Sequence, residues 1–144
     1  ILRRINLLYI YLTNQSNKYI IRFMGRKKSF DTSDVLSQIG QLFIEKGYNG
    51  TSLDDIVERT GLLRGSLYAT FGSKQGMFIS ALKLSLEGSN NQLKWGLLIV
   101  AMLEVTSRNT KVYDLVQTWY TEHQNEKIAE KIGLELLKHS GLIK

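Results

Sequence analysis

Arg64, Ser66, Tyr68, Thr70 and Lys74 crowd one short stretch of the chain, and each carries a group that can hydrogen-bond a nucleic acid. A guanidinium such as that of Arg64 can grip a guanine edge in bidentate fashion, or a phosphate. Ser66 and Thr70 offer short hydroxyls for bases or backbone. Tyr68 can pack its ring and extend its hydroxyl to a phosphate. Lys74 falls at the expected start of a helix, where an ammonium beside exposed backbone N–H groups makes a phosphate clamp. Gly65 permits a close approach of the backbone to DNA or to the preceding helix. Upstream, Thr51 can cap a helix and offer its hydroxyl to a DNA backbone. Arg26, Lys27 and Lys28 form a basic arm suited to backbone or minor groove. Taken singly these residues are ordinary: a cap, a core aromatic, solvated charges, a disordered start. Their shared setting is what gives them weight.

Other chemistry finds little support. The sequence has no cysteine, so neither a disulfide framework nor a thiolate metal site can form. His123 and His139 are too isolated to suggest a metal site, and the acidic residues belong to helix starts rather than to one another. No Gly-rich phosphate loop or nucleophile motif stands out. The expectation is a protein that is not an enzyme and needs no cofactor or metal.

The elements that would position the basic and hydroxyl groups are helices. There are no prolines in the 144 residues, which removes the commonest helix breaker. The spacing of Val35, Leu36, Ile39, Leu42 and Phe43 predicts a first helix from about Thr32 to Lys46, stopped by Gly47. A second helix follows Thr51, with Thr51 and Asp54 resembling a capping box, and ends at Gly61. The third is short, about Leu63 to Thr70, with Leu67 and Phe71 inward. Gly72 stops it and Ser73 caps a fourth, which carries Met77, Phe78, Ala81, Leu82 and Leu86 to Gly88. Two short helices joined by a tight glycine turn form a helix-turn-helix, whose second helix enters the major groove. The net charge of +6 is unevenly spread. Residues 1–23 hold four basic groups and no acid, residues 24–75 seven basic and six acidic, and residues 76–144 eight basic and seven acidic. Basic groups in the helix-turn-helix must therefore act by position rather than by number.

Gly47-Tyr48, Thr51-Ser52-Leu53, Asp55-Ile56-Val57, Thr60-Gly61-Leu62, Gly65-Ser66-Leu67-Tyr68, Phe71-Gly72-Ser73-Lys74 and Phe78 fall in register with a family signature. Over these roughly fifty residues the chain resembles the tetracycline-repressor (TetR) family of transcriptional regulators. The resemblance implies an all-α protein: an N-terminal three-helix DNA-binding domain, then a helical domain that dimerises and binds a small molecule. It implies phosphate contacts at Thr51, Tyr68 and Lys74, and mixed base and backbone contacts at Arg64, Ser66 and Thr70. Leu63 departs from the pattern, because a small hydroxyl residue usually opens the recognition helix. Ala69 and Thr70 replace larger residues, so base preference does not transfer.

Beyond Gly88-Ser89-Asn90-Asn91 the sequence predicts a helix from Leu93 to Thr106, apolar on nearly all sides, that needs cover from a bundle or a second chain. A break at Ser107 to Thr110 precedes a long final pattern through Val112, Leu115, Val116, Trp119, Ile128, Ile132, Leu136 and Leu137. Gly96-Leu97-Leu98-Ile99-Val100 with Glu104 resembles a segment of the family's second domain, yet it arrives soon after the fourth helix. The domain plan is then 1–23 as a non-native leader or disordered extension, 24–75 as the DNA-binding domain, and 76–144 as a shortened regulatory and dimerisation domain. Met24, opening Met24-Gly25-Arg26, reads as the native start; a signal peptide or an extra docked element are the alternatives for 1–23. Trp95, Met102, Trp119 and His123 are candidates for a ligand pocket, with ordinary core as the plainer reading. The functional expectation is a cytoplasmic, homodimeric repressor that holds a palindromic operator in double-stranded DNA and is released by a small-molecule effector. The alternatives are a constitutive DNA binder, or a heterodimerising interaction protein without effector control. No segment is apolar for long enough to suggest a membrane span.

Overall fold

Periodic apolar residues and glycine stops yield an all-helical chain. The structure, a computed structural model, describes residues 30–144. The expectations for residues 1–23 and for Arg26, Lys27 and Lys28 lie outside the described residues. Helix α1 spans Thr32–Lys46 and buries Val35, Leu36, Ile39, Leu42 and Phe43 on one face. Gly47 ends it with φ +76°, a left-handed conformation that side chains resist. Helices α2 (Leu53–Thr60) and α3 (Arg64–Phe71) make the helix-turn-helix. Gly61 turns between them at φ +67°, its N–H donating to the Val57 carbonyl at 2.9 Å. Helix α4 (Lys74–Glu87) starts at Ser73, whose hydroxyl accepts from the Gly76 N–H, and buries Met77, Phe78, Ala81 and Leu82.

The cap of α2 lies one residue later than expected. Ser52, not Thr51, is the N-cap: its hydroxyl accepts from the Asp55 N–H at 3.1 Å, while the Asp55 carboxylate accepts from the Ser52 N–H at 2.7 Å. The cause is Thr51 itself. Its side chain is buried and its hydroxyl donates to the Gly47 carbonyl at 2.7 Å, so the next residue must serve the helix end.

After Gly88, helix α5 spans Asn91–Val100 and runs into a π turn, Ala101–Val105, closed by the Thr106 N–H to the Ala101 carbonyl at 2.9 Å. Helices α6 (Thr110–Glu122) and α7 (Ile128–His139) follow as two separate pieces. Leu97, Leu98, Val100 and Ala101 are wholly buried within the single chain. Of the two expected covers for this helix, a bundle or a second chain, the first applies to these residues: helices of the same chain cover them. Gly40 of α1 makes this burial close, because a methyl group there would stand 3.0 Å and 3.2 Å from the Leu93 and Leu97 methyls. Gly96 of α5 likewise receives the Ile44 side chain.

An aromatic cluster ties the start of the chain's fold to α4. The Phe43 and Phe78 rings meet edge-to-face at 5.1 Å, and Tyr48 meets Phe43 at 5.7 Å and Phe78 at 5.2 Å. Such pairs add to what simple burial contributes. On the other side of α1, Lys46 and Asp55 (2.6 Å) and Arg59 and Glu45 (2.6 Å) bridge α1 to α2.

Candidate nucleic-acid interface

Helix α3 is fastened by little and shows much. Leu67 is its one fully buried residue and Phe71 is half-buried, while Arg64, Gly65, Ser66, Tyr68 and Ala69 are exposed. With Leu67 inward, the helical period turns Gly65, Ser66 and Ala69 to the far side. Tyr68 and Thr70 flank them, Thr70 half-buried. Nothing lies within 4 Å of where a Gly65 methyl would stand. Gly65 is thus not required for packing between helices, and the space it leaves faces outward. The outer face is made of small residues with the Ser66 hydroxyl among them, and Arg64 stands at its leading end.

The Arg64 guanidinium pairs with the Asp54 carboxylate of α2. Both groups are well exposed, at 57% and 81% of their side chains, so the pair is worth little and opens at small cost. Asp54 holds Arg64 beside α3 through this exposed pair. By contrast, Lys46 and Arg59 are engaged in the α1–α2 bridges. Charge at this face is supplied by position, as the near-neutral composition requires.

Lys74 sits at the N-terminus of α4, yet its ammonium points to a task inside the molecule as well. Nζ donates to the Thr51 carbonyl at 2.8 Å and lies 4.6 Å from the centre of the Tyr48 ring. It thereby ties the loop before α2 to the start of α4. Burial raises the Tyr48 hydroxyl above its ordinary pKa, which keeps that ring neutral beneath the cation. Thr51, only 1% exposed, presents its hydroxyl to Gly47 rather than outward. The exposed hydroxyl at this end of α2 is that of Ser52. Sequence reasoning gave Asp54 only as a cap partner of Thr51, and Ser52 and Tyr48 only as signature residues; the Ser52-x-x-Asp55 spacing was the available signal for the role of Ser52.

The four pocket candidates border three separate grooves, Trp95 lining one of about 850 Å³ with Ile44 and Lys131. Trp95 and Trp119 meet edge-to-face at 5.5 Å, and His123 stacks on Trp119 at 5.1 Å with Nδ1 2.8 Å from the Trp119 carbonyl. Trp119 and His123 border an open groove of about 510 Å³ between α4 and α6, with Lys83, Lys111 and Asp114 on its walls. Met102 borders a different groove of about 270 Å³, with Tyr120 and Ile132. Among the described residues no group of three or more His, Cys, Asp or Glu is placed to hold a metal ion. Among them also, no helix is long and apolar enough to cross a membrane.

Residues 35–81 match the family model for bacterial regulatory proteins, tetR family. Over this segment the chain is similar to the tetR family. The match runs from the buried face of α1 through the helix-turn-helix to Ala81 of α4. The chain is 51% identical over 67 residues to the uncharacterized HTH-type transcriptional regulator YezE of Bacillus subtilis, covering 46% of this chain and 34% of that protein. It is 38% identical over 71 residues to the HTH-type transcriptional repressor ComR of Escherichia coli, covering 49% and 34%. It is 42% identical over 50 residues to IcaR of Staphylococcus aureus, the biofilm operon icaADBC HTH-type negative transcriptional regulator, covering 35% and 27%. The matched stretch spans about a third of the length of these curated relatives. No solved structure matches the chain.

Proposed function

We propose that this chain regulates transcription by binding double-stranded DNA, with α3 in the major groove and Arg64, Gly65, Ser66, Tyr68 and Thr70 facing it. The observation that carries this reading is the exposed outer face of α3, polar and open at Gly65, anchored from behind by Leu67. Lys74 steadies the loop before α2 and offers its remaining N–H groups to a phosphate. Thr51 contributes through its carbonyl and its place in the loop, and Arg26, Lys27 and Lys28 extend the interface along backbone or minor groove. The names of ComR and IcaR favour repression over activation.

Useful specificity from one helix-turn-helix needs two copies on a palindrome, about one helical turn apart. Leu134, Leu137 and Leu142, exposed on and after α7, suit a homodimer contact; Trp119, buried in its own chain, does not. A small-molecule effector would settle against Trp119 and His123, where an aromatic face and charged walls meet. A chain that binds DNA without effector control is the alternative, and the division of the four pocket candidates among three grooves favours it.

The test is a salt titration of binding to a labelled duplex selected by the chain from a random pool, with Arg64→Ala alongside. A guanine contact by Arg64 predicts a loss of about 1–3 kcal/mol on the selected duplex and a smaller one on random DNA. Equal losses on both would make Arg64 a phosphate contact. A wild type that binds neither duplex would end the proposal.

A further inference from the structure

Glu104 lies in the π turn after α5, fifty-five positions beyond the loop that it touches. Its Oε2 accepts the Asn49 N–H at 2.9 Å. Its other oxygen rests against Gly47, where a methyl group would overlap the carboxylate. Gly47 is therefore required twice, by its φ of +76° and by the room it leaves for Glu104. Among the described residues this is the one hydrogen bond that joins the helices after Gly88 to those before it. Among them also, no lysine or arginine forms an ion pair with Glu104.

The loop it holds is the stem of the helix-turn-helix. Residues 47–51 lead directly into the Ser52 cap of α2, and α2 carries α3 through the Gly61 turn. Within the loop the Thr51 hydroxyl donates to the Gly47 carbonyl, and Lys74 ties the loop to α4. Glu104 adds a second outside fastening, from the part of the chain beyond α4. Its own placement depends on a π turn, a wide turn that costs regular helix bonding and that often marks a functional site.

We infer that Glu104 is a positioning residue for DNA binding: its carboxylate fixes the loop 47–51 and with it the orientation of α2 and α3. The inference rests on the DNA-binding reading above and adds to it a residue from outside the tetR-family segment. The sign of the effect separates positioning from charge. A carboxylate near a DNA-binding surface repels phosphates, so its removal strengthens binding if only its charge matters. Positioning has the opposite consequence, because a loosened stem must be ordered again when DNA binds.

The experiment compares Glu104→Ala, Glu104→Asp and Glu104→Gln with the wild type in the full chain. Three readouts are needed: affinity for the selected duplex, the thermal transition, and hydrogen exchange at the Asn49 amide. Ala has no acceptor, and Asp keeps the charge but shortens the arm by one methylene. Both are expected to weaken binding about tenfold, the scale of one hydrogen bond to a charged group, and to speed exchange at Asn49. Gln loses the charge but keeps an oxygen that can accept from Asn49, and is expected to bind nearly as the wild type. Should Glu104→Ala fail to fold, Glu104→Asp carries the decision. Binding by Glu104→Asp equal to the wild type would overturn the inference, as would a Glu104→Gln variant as weak as Glu104→Ala. A fall in affinity accounted for by the unfolded fraction alone would overturn it too. If the wild type itself binds no duplex, the DNA-binding reading has failed, and Asn49 exchange then reports on the fastening by itself.

Discussion

Helices α3 and α5 are of similar length and are built on opposite plans. Over its ten residues α5 buries Leu93, Leu97, Leu98, Ile99 and Val100; over its eight, α3 buries Leu67 alone. Helix α5 is held by its own surface on nearly every side. Helix α3 is held by one leucine, by the glycines at both ends, and by the stem before α2. A helix that gives up so much burial has its outer face free for a partner. The difference teaches that display and stability are assigned to separate elements here. The account then predicts that each can be damaged without the other.

The largest expected effect falls on the shared core. Phe43→Ala removes the ring that meets both Tyr48 and Phe78, and it should cost about 3–5 kcal/mol by urea denaturation. Leu67→Ala should cost about 2–5 kcal/mol at its site, but locally. Amides of α3 are expected to exchange fast while those of α5 stay protected. Loss of protection in both helices together would mean that α3 is not an independent display element. Arg64→Ala removes an exposed side chain, so stability should hold while affinity falls on the scale given above; a clear drop in the urea midpoint would tie Arg64 to the fold instead. Leu63 opens α3 with no side-chain cap and is 72% exposed. Leu63→Ser should therefore stabilise by about 1 kcal/mol, read as a raised midpoint.

The smallest effect concerns acid. The Lys46 ammonium beside Asp55, helped by the Ser52 N–H and hydroxyl, holds the Asp55 carboxyl well below the usual carboxylate range. A folded-state pKa lowered in this way stabilises fully above the unfolded value, near pH 4, and fades as pH falls toward the folded one. The urea midpoint of the wild type should thus drop as pH falls below about 4, and Asp55→Asn should drop less. Parallel curves for the two proteins would show that the Asp55 cap carries no such linkage.

Local signals were legible in the sequence and distant ones were not. The bounds of α1, the stop at Gly61 and the Ser73 cap follow from apolar period, glycine and hydroxyl placement within a few residues. The Thr51 cap was misplaced by one position because burial, which no single sequence displays, had already taken its hydroxyl. The cover of α5 was left open between a bundle and a second chain for a similar reason: the close passages at Gly40 and Gly96, by which one chain buries it, leave no local trace. In the candidate site, the exposure of Arg64 and Ser66 on α3 followed from type and register. The inward bonds of Lys74 join positions twenty-three apart, and the Glu104 contact joins positions fifty-five apart, so neither leaves a local trace.

The division between a displayed α3 and a buried α5 is tested most directly by titrating the selected duplex into isotope-labelled chain and following backbone amide shifts. The account predicts that Gly65, Ser66, Tyr68 and Ala69 shift first and furthest, with smaller changes at the α2 cap and none in the middle of α5. Shifts confined to α6 and α7, with α3 unmoved at saturation, would contradict it.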